Sequence, residues 1–415
     1  MADVRKLTDD QLESFARIAA NAYPGGKHNT PDGLERLKEN MKKTHAFDWA
    51  NYYGCFRDDK LVGGMMELDY TMNLHAQMVP IGGVAFVAVD LLHKKEKVAK
   101  ELITEFCRHY RERDRKLVAL YPFRPDFYHA MGFGYGTKWK QYRINPSDLP
   151  KGGAKDRCRF LFEEDREAVG ACYNRFAEGL HGMFLKLPTE LEVVGNITAP
   201  TVGYEEDGVL RGYVRFFAEP AVEGNFTMNN LIVRELIYET PEALQALMAF
   251  LNSQADQYQQ VFFNTQDEDI HFLFHDPRNG SRRLLPPLAH ETNSEGIGVM
   301  YRVVDVPGMF ELLADHDFGG QTVKLKLTVS DTLLPENAGS TIVHVEKGRA
   351  RVAEGGAFDV EVKLDIAEFS ALLVGSADLI GLQRLGLAEI SDEQYLRTVH
   401  RVFLTDSKPI TTTVF

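Results

Sequence analysis

The sequence predicts a chain of several domains, α/β in its first part and α+β in its last. Three observations carry this. The 415 residues exceed what one ordinary core holds, so two or three domains are expected. Apolar runs and amphipathic helical patterns alternate over about the first 145 residues, as in an α/β layer sandwich with mixed strand directions. Beyond residue 322, strand-like alternation dominates and gives way to terminal helices. The apolar share of 44% and the charged share of 26% suit soluble packed domains.

The elements follow in order. Thr8-Asp9-Asp10-Gln11 reads as a capping box, and Leu12, Phe15, Ile18 and Ala19 line one helix face behind it. Pro24-Gly25-Gly26 ends that helix, and Thr30-Pro31-Asp32 opens another. Residues 52–57 and 61–69 read as a hairpin around Asp58-Asp59, with 82–89 as the next strand. A helix is expected over 98–112, where Val98, Leu102, Phe106 and Tyr110 fall at steps of four. A strand follows at 116–120, then a short helix with Phe127 and Tyr128, then a strand over 137–144. Pro146-Ser147-Asp148-Leu149-Pro150-Lys151-Gly152-Gly153 reads as a linker. The boundaries are set at 1–150, 151–286 and 287–415.

The middle segment repeats the helix–strand rhythm, with a helix over 163–179, strands over 203–219, 229–238 and 260–264, and a helix capped by Thr240-Pro241-Glu242. Pro286-Pro287 marks the next transition. Strands over 298–303, 322–330, 340–345 and 357–364 then alternate with helices near 306–313, 365–370 and 377–385. Ser391-Asp392-Glu393-Gln394 reads as a capping box opening a last helix, and Thr411–Phe415 is a β-prone tail.

A net charge of −13 argues against the positive field that nucleic acid requires; it serves solubility as commonly as it would suit a cationic substrate. The four cysteines are scattered without CxxC spacing, as expected of free thiols in a reducing compartment. The start shows no signal-peptide core, and no run approaches membrane-spanning length. A cytoplasmic protein with no nucleic-acid or membrane partner is expected.

The stretch Gly82–Leu102 organises the first domain. Its strand gives way at Asp90 to a basic loop that opens directly into a helix. Strand–loop–helix order aims free backbone N–H groups and the positive helix end at one point. Lys94, Lys95 and Lys97 add cations there, so the point suits a phosphate.

This stretch resembles the acetyl-CoA-binding core of the GNAT acyltransferases. The segment LYPFRPDFYHAMGFGYG (120–136) resembles more narrowly the Eis-like (enhanced intracellular survival) N-acetyltransferases. The three-part layout is similar to theirs as well: a GNAT domain, a second GNAT-like domain and a sterol-carrier-protein-like domain. The resemblance implies acetyl-CoA as co-substrate, no metal, an amine acceptor and a homo-oligomer, often a hexamer. It also implies that Val87, Ala88 and Val89 serve the pantetheine arm. Lys94, Lys95, Glu96, Lys97, Val98, Ala99 and Lys100 would form the pyrophosphate loop and helix start, with Phe123 and Arg124 nearby.

Lys97 stands where the family has a glycine. Glycine there removes the Cβ so that backbone can approach phosphate; a lysine is tolerated where φ stays negative. Glu96 places a negative charge beside it. Tyr128 falls at the family's general acid, a phenol suited to protonating a leaving thiolate. The C-terminal carboxylate, here of Phe415, falls at its general base. The plainer readings are a solvated basic turn for Lys94–Lys97, a core aromatic for Tyr128 and a frayed end for Phe415.

His271 and His275 lack a third metal ligand, and Gly132-x-Gly134-x-Gly136 follows a helix rather than opening one, so it is not a dinucleotide fingerprint. The expected function is acetyl transfer from acetyl-CoA to a primary amine of a cationic small molecule or a lysine. The alternative is an inactive GNAT-like binding or regulatory protein with an apolar-ligand-binding third domain.

Overall fold

A computed structural model describes residues 3–415. The chain folds into two compact units. One holds residues 3–136, Gly298–Lys408 and Val414–Phe415; the other holds Thr137–Ile297 and Pro409–Thr413.

In the first unit, strand β1 (Asp3–Lys6) precedes helices α1 (Asp9–Ala22) and α2 (Pro31–His45). The Thr8–Gln11 capping box forms at the start of α1, and the Thr30 hydroxyl accepts from Gly33 N–H to cap α2. Strands β2 (Ala50–Arg57), β3 (Lys60–Leu74) and β4 (Gln77–Val89) follow. Asp58 and Asp59 both have positive φ, the conformation of a tight two-residue hairpin. The β3–β4 hairpin is longer than the sequence suggested, turning on His75 and Ala76. That pair carries none of the Asn-Gly or Asp-Gly signal that marks such turns.

Helix α3 (Val98–Glu112) spans the range its periodicity predicts and buries Val98, Leu102, Ile103, Phe106, Cys107 and Tyr110 against the sheet. After it come β5 (Leu117–Leu120), α4 (Pro125–His129) and β6 (Gly134–Tyr135).

The second unit begins with β7 (Trp139–Ile144) and continues through β8 (Cys158–Leu161), α5 (Arg166–Glu178), β9 (Thr201–Glu206), β10 (Val209–Pro220), β11 (Asn229–Tyr238), α6 (Pro241–Asn252) and β12 (Tyr258–Thr265). The strand expected over 203–219 is two, because Asp207-Gly208 forms a positive-φ hairpin turn. The Pro146–Gly153 stretch is packed rather than loose. Asn252 donates to the Pro146 and Leu149 carbonyls, and Gly153 lies on the backbone of Gln245 and Ala246. A small ladder of β13 (Leu284–Leu285) and β14 (Ala289–His290) precedes β15 (Asn293–Gly296).

Strand β16 (Met300–Val303) returns to the first sheet. Helix α7 (Val306–Leu312) leads into the third sheet of β17 (Val323–Ser330), β18 (Gly339–Glu346), β19 (Arg349–Ala353), β20 (Val360–Asp365) and β21 (Ala388–Ile390), with α8 (Ile366–Leu373), α9 (Leu379–Arg384) and α10 (Leu396–Val402). The Ser391–Gln394 segment is capped by Asp392 and makes a single short turn before α10, not a capping box on that helix.

The two large sheets share one topology. Their orders are β1-β2-β3-β4-β5-β16-β6 and β8-β9-β10-β11-β12-β7-β15. In each, the sixth place is filled by a strand from outside the run that builds the other six. Among the described residues no helix is long and apolar enough to cross a membrane.

Candidate active site

The site grows from the one parallel pairing in the first sheet. Strands β4 and β5 pair at Gly82↔Val118, Gly83↔Ala119 and Val84↔Leu120, and no further. The β3–β4 ladder shifts register between Gly64 and Met66, and Phe86 sits at φ 51°. That bulge sharpens the local twist and turns β4 away from β5. Residues 85–89 therefore edge an open fork. The Val87 carbonyl accepts from the Tyr23 hydroxyl at 2.8 Å, while Ala88 and Val89 are buried.

The fork leads to the start of α3. Asp90 accepts from Leu92 N–H and begins the loop. Lys95 and Lys97 have φ of 68° and 65°, so the lysine at the glycine position holds the left-handed conformation that glycine favours. The negative φ under which a lysine would sit there without strain is not adopted. Glu96 is drawn aside to His93, 2.9 Å away. Lys94, Lys95, Lys97 and Lys100 are exposed and form no ion pair among the described residues. Val98 is buried and Ala99 half-buried. Lys97 caps α3 with no side-chain hydrogen bond, so the first-turn N–H groups of Val98, Ala99 and Lys100 keep their donors free. Free amides, a positive helix end and four unpaired lysines fit a pyrophosphate.

Tyr128 lies on α4 and is 6% exposed, packed edge-on to Phe127 and Phe133. Burial, with a smaller contribution from the neighbouring Tyr23, pushes its hydroxyl well above the usual phenol range. Phe123 is 76% exposed and meets Tyr23 edge-on. Arg124 precedes α4 and pairs with Asp126.

Phe415 ends on the same strands. A Cβ added at Gly83 would stand 3.0 Å from the Tyr70 ring and 3.1 Å from that of Phe415. Phe415 also packs against Tyr70 and, edge-on, Tyr121. The tail is not a strand, yet it is held. In the second unit, Thr411 N–H donates to Gln266 Oε1 at 2.7 Å, and the Tyr173 hydroxyl bonds Thr412 and Thr413.

Two sets of residues escaped the sequence reading. Tyr23, just past the end of α1, carried no signal in the sequence. Arg302 is fully buried on β16 and donates to the Met131 carbonyl at 2.7 Å and to both oxygens of buried Asp331. It thereby fixes the turn after α4, where Gly132 has φ 83° and a Cβ would collide with the guanidinium. A lone arginine inside Val299-Met300-Tyr301-Arg302-Val303-Val304 was the available signal, since buried charge demands a partner. His271 and His275 face their own partners, the Glu268 carbonyl and Asp148.

The second sheet repeats the fork. Strands β11 and β12 pair in parallel up to Val233↔Phe263, and the β10–β11 register shifts between Arg215 and Phe216. Here, though, the helix end is closed. Thr240 caps α6 through its hydroxyl, Pro241 follows, and Glu242 sits in the first turn. Glu239 pairs with Arg175 and Arg211.

The chain matches the acetyltransferase (GNAT) domain families over residues 3–136 and 191–303, and the sterol carrier protein domain over 310–412. It is 23% identical to the N-acetyltransferase Eis of Mycobacterium tuberculosis over 369 residues, 85% of each chain. The chain is thus a GNAT-type acetyltransferase with a sterol carrier protein domain, and it is similar over most of its length to Eis. An uncharacterized N-acetyltransferase of Streptomyces avermitilis is 26% identical over 187 residues, covering 42% of this chain and 46% of that one. In fold, the chain is similar along its whole length to a GCN5-related N-acetyltransferase from Anabaena variabilis (TM-score 0.82, 19% identity). Eis1 from Mycobacterium abscessus gives 0.78 at 20% identity, again over all of both chains.

Proposed function

We propose that this Eis-like acetyltransferase uses acetyl-CoA and transfers the acetyl group directly to a primary amine. The observation that carries the reading is the open β4/β5 fork ending on the uncapped, lysine-lined start of α3. The pyrophosphate would sit on the N–H groups of Val98–Lys100 with Lys94, Lys95, Lys97 and Lys100 around it, and the pantetheine along residues 85–89. The Val87 carbonyl already accepts from Tyr23; a carbonyl has a second lone pair to offer.

In this reading the Phe415 carboxylate takes the proton of the arriving ammonium, directly or through water. The amine nitrogen then attacks the thioester carbon. As the tetrahedral adduct collapses, the C–S bond breaks and the Tyr128 hydroxyl donates its proton to the departing thiolate, while the nitrogen's second proton passes through water to the Tyr128 oxygen, giving amide, CoA thiol and a neutral phenol again. Burial that keeps Tyr128 neutral suits a group that must arrive protonated. The inactive-protein alternative drew on Lys97 at the glycine position. Its left-handed backbone keeps the loop conformation a glycine would adopt, so the cradle's shape survives the substitution, and the exposed lysine adds a cation beside it.

Thiol release from acetyl-CoA in the presence of amines tests the reading. Amine-dependent release that falls in Tyr128→Phe supports it, and release with no need of an amine contradicts it.

A further inference from the structure

The two faces of β4 differ in chemistry. A Cβ at Gly82 would strike the Tyr110 ring of α3, whereas one at Gly83 meets Tyr70 and Phe415. The α3 face holds the carboxylates near the fork. Glu67 bonds His109 of α3 at 2.6 Å, and Asp69 bonds Tyr110 and Arg113 at 2.8 and 2.5 Å. Carboxylates on the turns are likewise engaged, Glu96 with His93 and Asp126 with Arg124.

The opposite face is aromatic. Tyr70, Tyr121 and Phe415 form one contiguous group, with ring centroids 5.0 and 5.5 Å apart. Tyr23 joins Phe86 and Phe123 in another, both at 6.2 Å. Phe86 and Gly83 stand three residues apart on β4, so both groups border one stretch of strand. Phe123 is three-quarters exposed, a large apolar ring left at the rim of the fork.

We infer that the acceptor is a monoamine carried on an aromatic or similarly flat apolar body, and not a polyamine. The inference rests on the acetyl-transfer reading above and names its substrate class. Ring faces attract a single ammonium group by cation–π interaction and stack on an aromatic body. A polyamine needs a separate anion for each further charge, and Glu67, Asp69, Glu96 and Asp126 all face α3 or are already paired. The acidic net charge of the chain is therefore not the acceptor's guide.

The test uses the full-length protein with saturating acetyl-CoA and compares phenethylamine and tryptamine with spermidine and an aminoglycoside by thiol release. The expected result is a kcat/KM at least about tenfold higher for the arylalkylamines. Phe123→Ala, at a side chain too exposed to disturb folding, is expected to raise KM for phenethylamine about fivefold and to leave KM for spermidine unchanged. Calorimetric titration of phenethylamine and spermidine into the protein decides the matter if no amine turns over. Tighter phenethylamine binding supports the inference, and tighter spermidine binding overturns it. Faster turnover of the polyamines, or a Phe123→Ala loss equal for every amine, also overturns it. Absence of thiol release with phenethylamine still bound would sink the transfer reading and leave the class assignment standing.

Discussion

The two GNAT-like sheets agree strand for strand, down to the parallel pair that parts and the register shift beside it. They differ where the parted strand meets its helix. In the first, a positive-φ lysine leaves the helix end uncapped and ringed with unpaired cations. In the second, the Thr240 hydroxyl and Pro241 satisfy that end internally, and Glu242 adds a like charge to any incoming phosphate. The second fork's bulge region is also filled, since buried Glu235 bonds Lys186 at 2.5 Å and the Tyr213 hydroxyl at 2.8 Å. Topology thus supplies a fork twice, and a few residues at the helix start decide which fork has donors to offer a phosphate.

The largest expected effect removes the acid from the open fork. Tyr128→Phe is expected to lower kcat about 100-fold with acetyl-CoA affinity unchanged, read by steady-state kinetics and calorimetry. The pH profile carries the sign. Because burial raises the Tyr128 pKa, the protonated form persists as pH rises, so wild-type activity should show no decline from this group below about pH 10. A falling limb near neutral pH that disappears in Tyr128→Phe would mean a lowered Tyr128 pKa and contradict the buried, neutral phenol described here.

Next in size is the chain's end. One alanine added after Phe415 turns the terminal carboxylate into an amide and displaces the anion. Turnover should fall on the order of tenfold or more while the melting temperature holds, because Thr411–Thr413 still anchor the tail. Unchanged turnover would free Phe415 from the proton transfer.

Two smaller changes sharpen the contrast between helix ends. Lys97→Gly relieves a left-handed side chain and should raise stability by about 0.5–1 kcal/mol. It also removes a cation, so CoA should bind about fivefold more weakly, roughly 1 kcal/mol. Stability and affinity moving in opposite directions is the signature to look for in denaturation and calorimetry. Thr240→Ala should cost about 1 kcal/mol of stability as a lost cap and leave CoA binding untouched.

Much of this was legible in the chain. Periodicity placed α3 to the residue, and Thr8, Thr30 and Thr240 announced helix starts. Strand–loop–helix order with clustered lysines pointed to the uncapped start of α3, the proposed phosphate cradle. What stayed hidden depended on long-range pairing. The exchange of β7 and β16 between sheets leaves no local mark, since a strand's sequence reports its two faces and not its neighbours. Tyr23 and Arg302 act across distances of 64 and 171 residues, which no spacing rule reaches. The positive φ at Lys97 was invisible because lysine seldom adopts it.

The most direct test of the contrast is calorimetric titration of the full-length chain with CoA. The account predicts one CoA per chain, weakened by Lys97→Gly and indifferent to Thr240→Ala. Two CoA per chain, or a single site lost in Thr240→Ala and kept in Lys97→Gly, would contradict it.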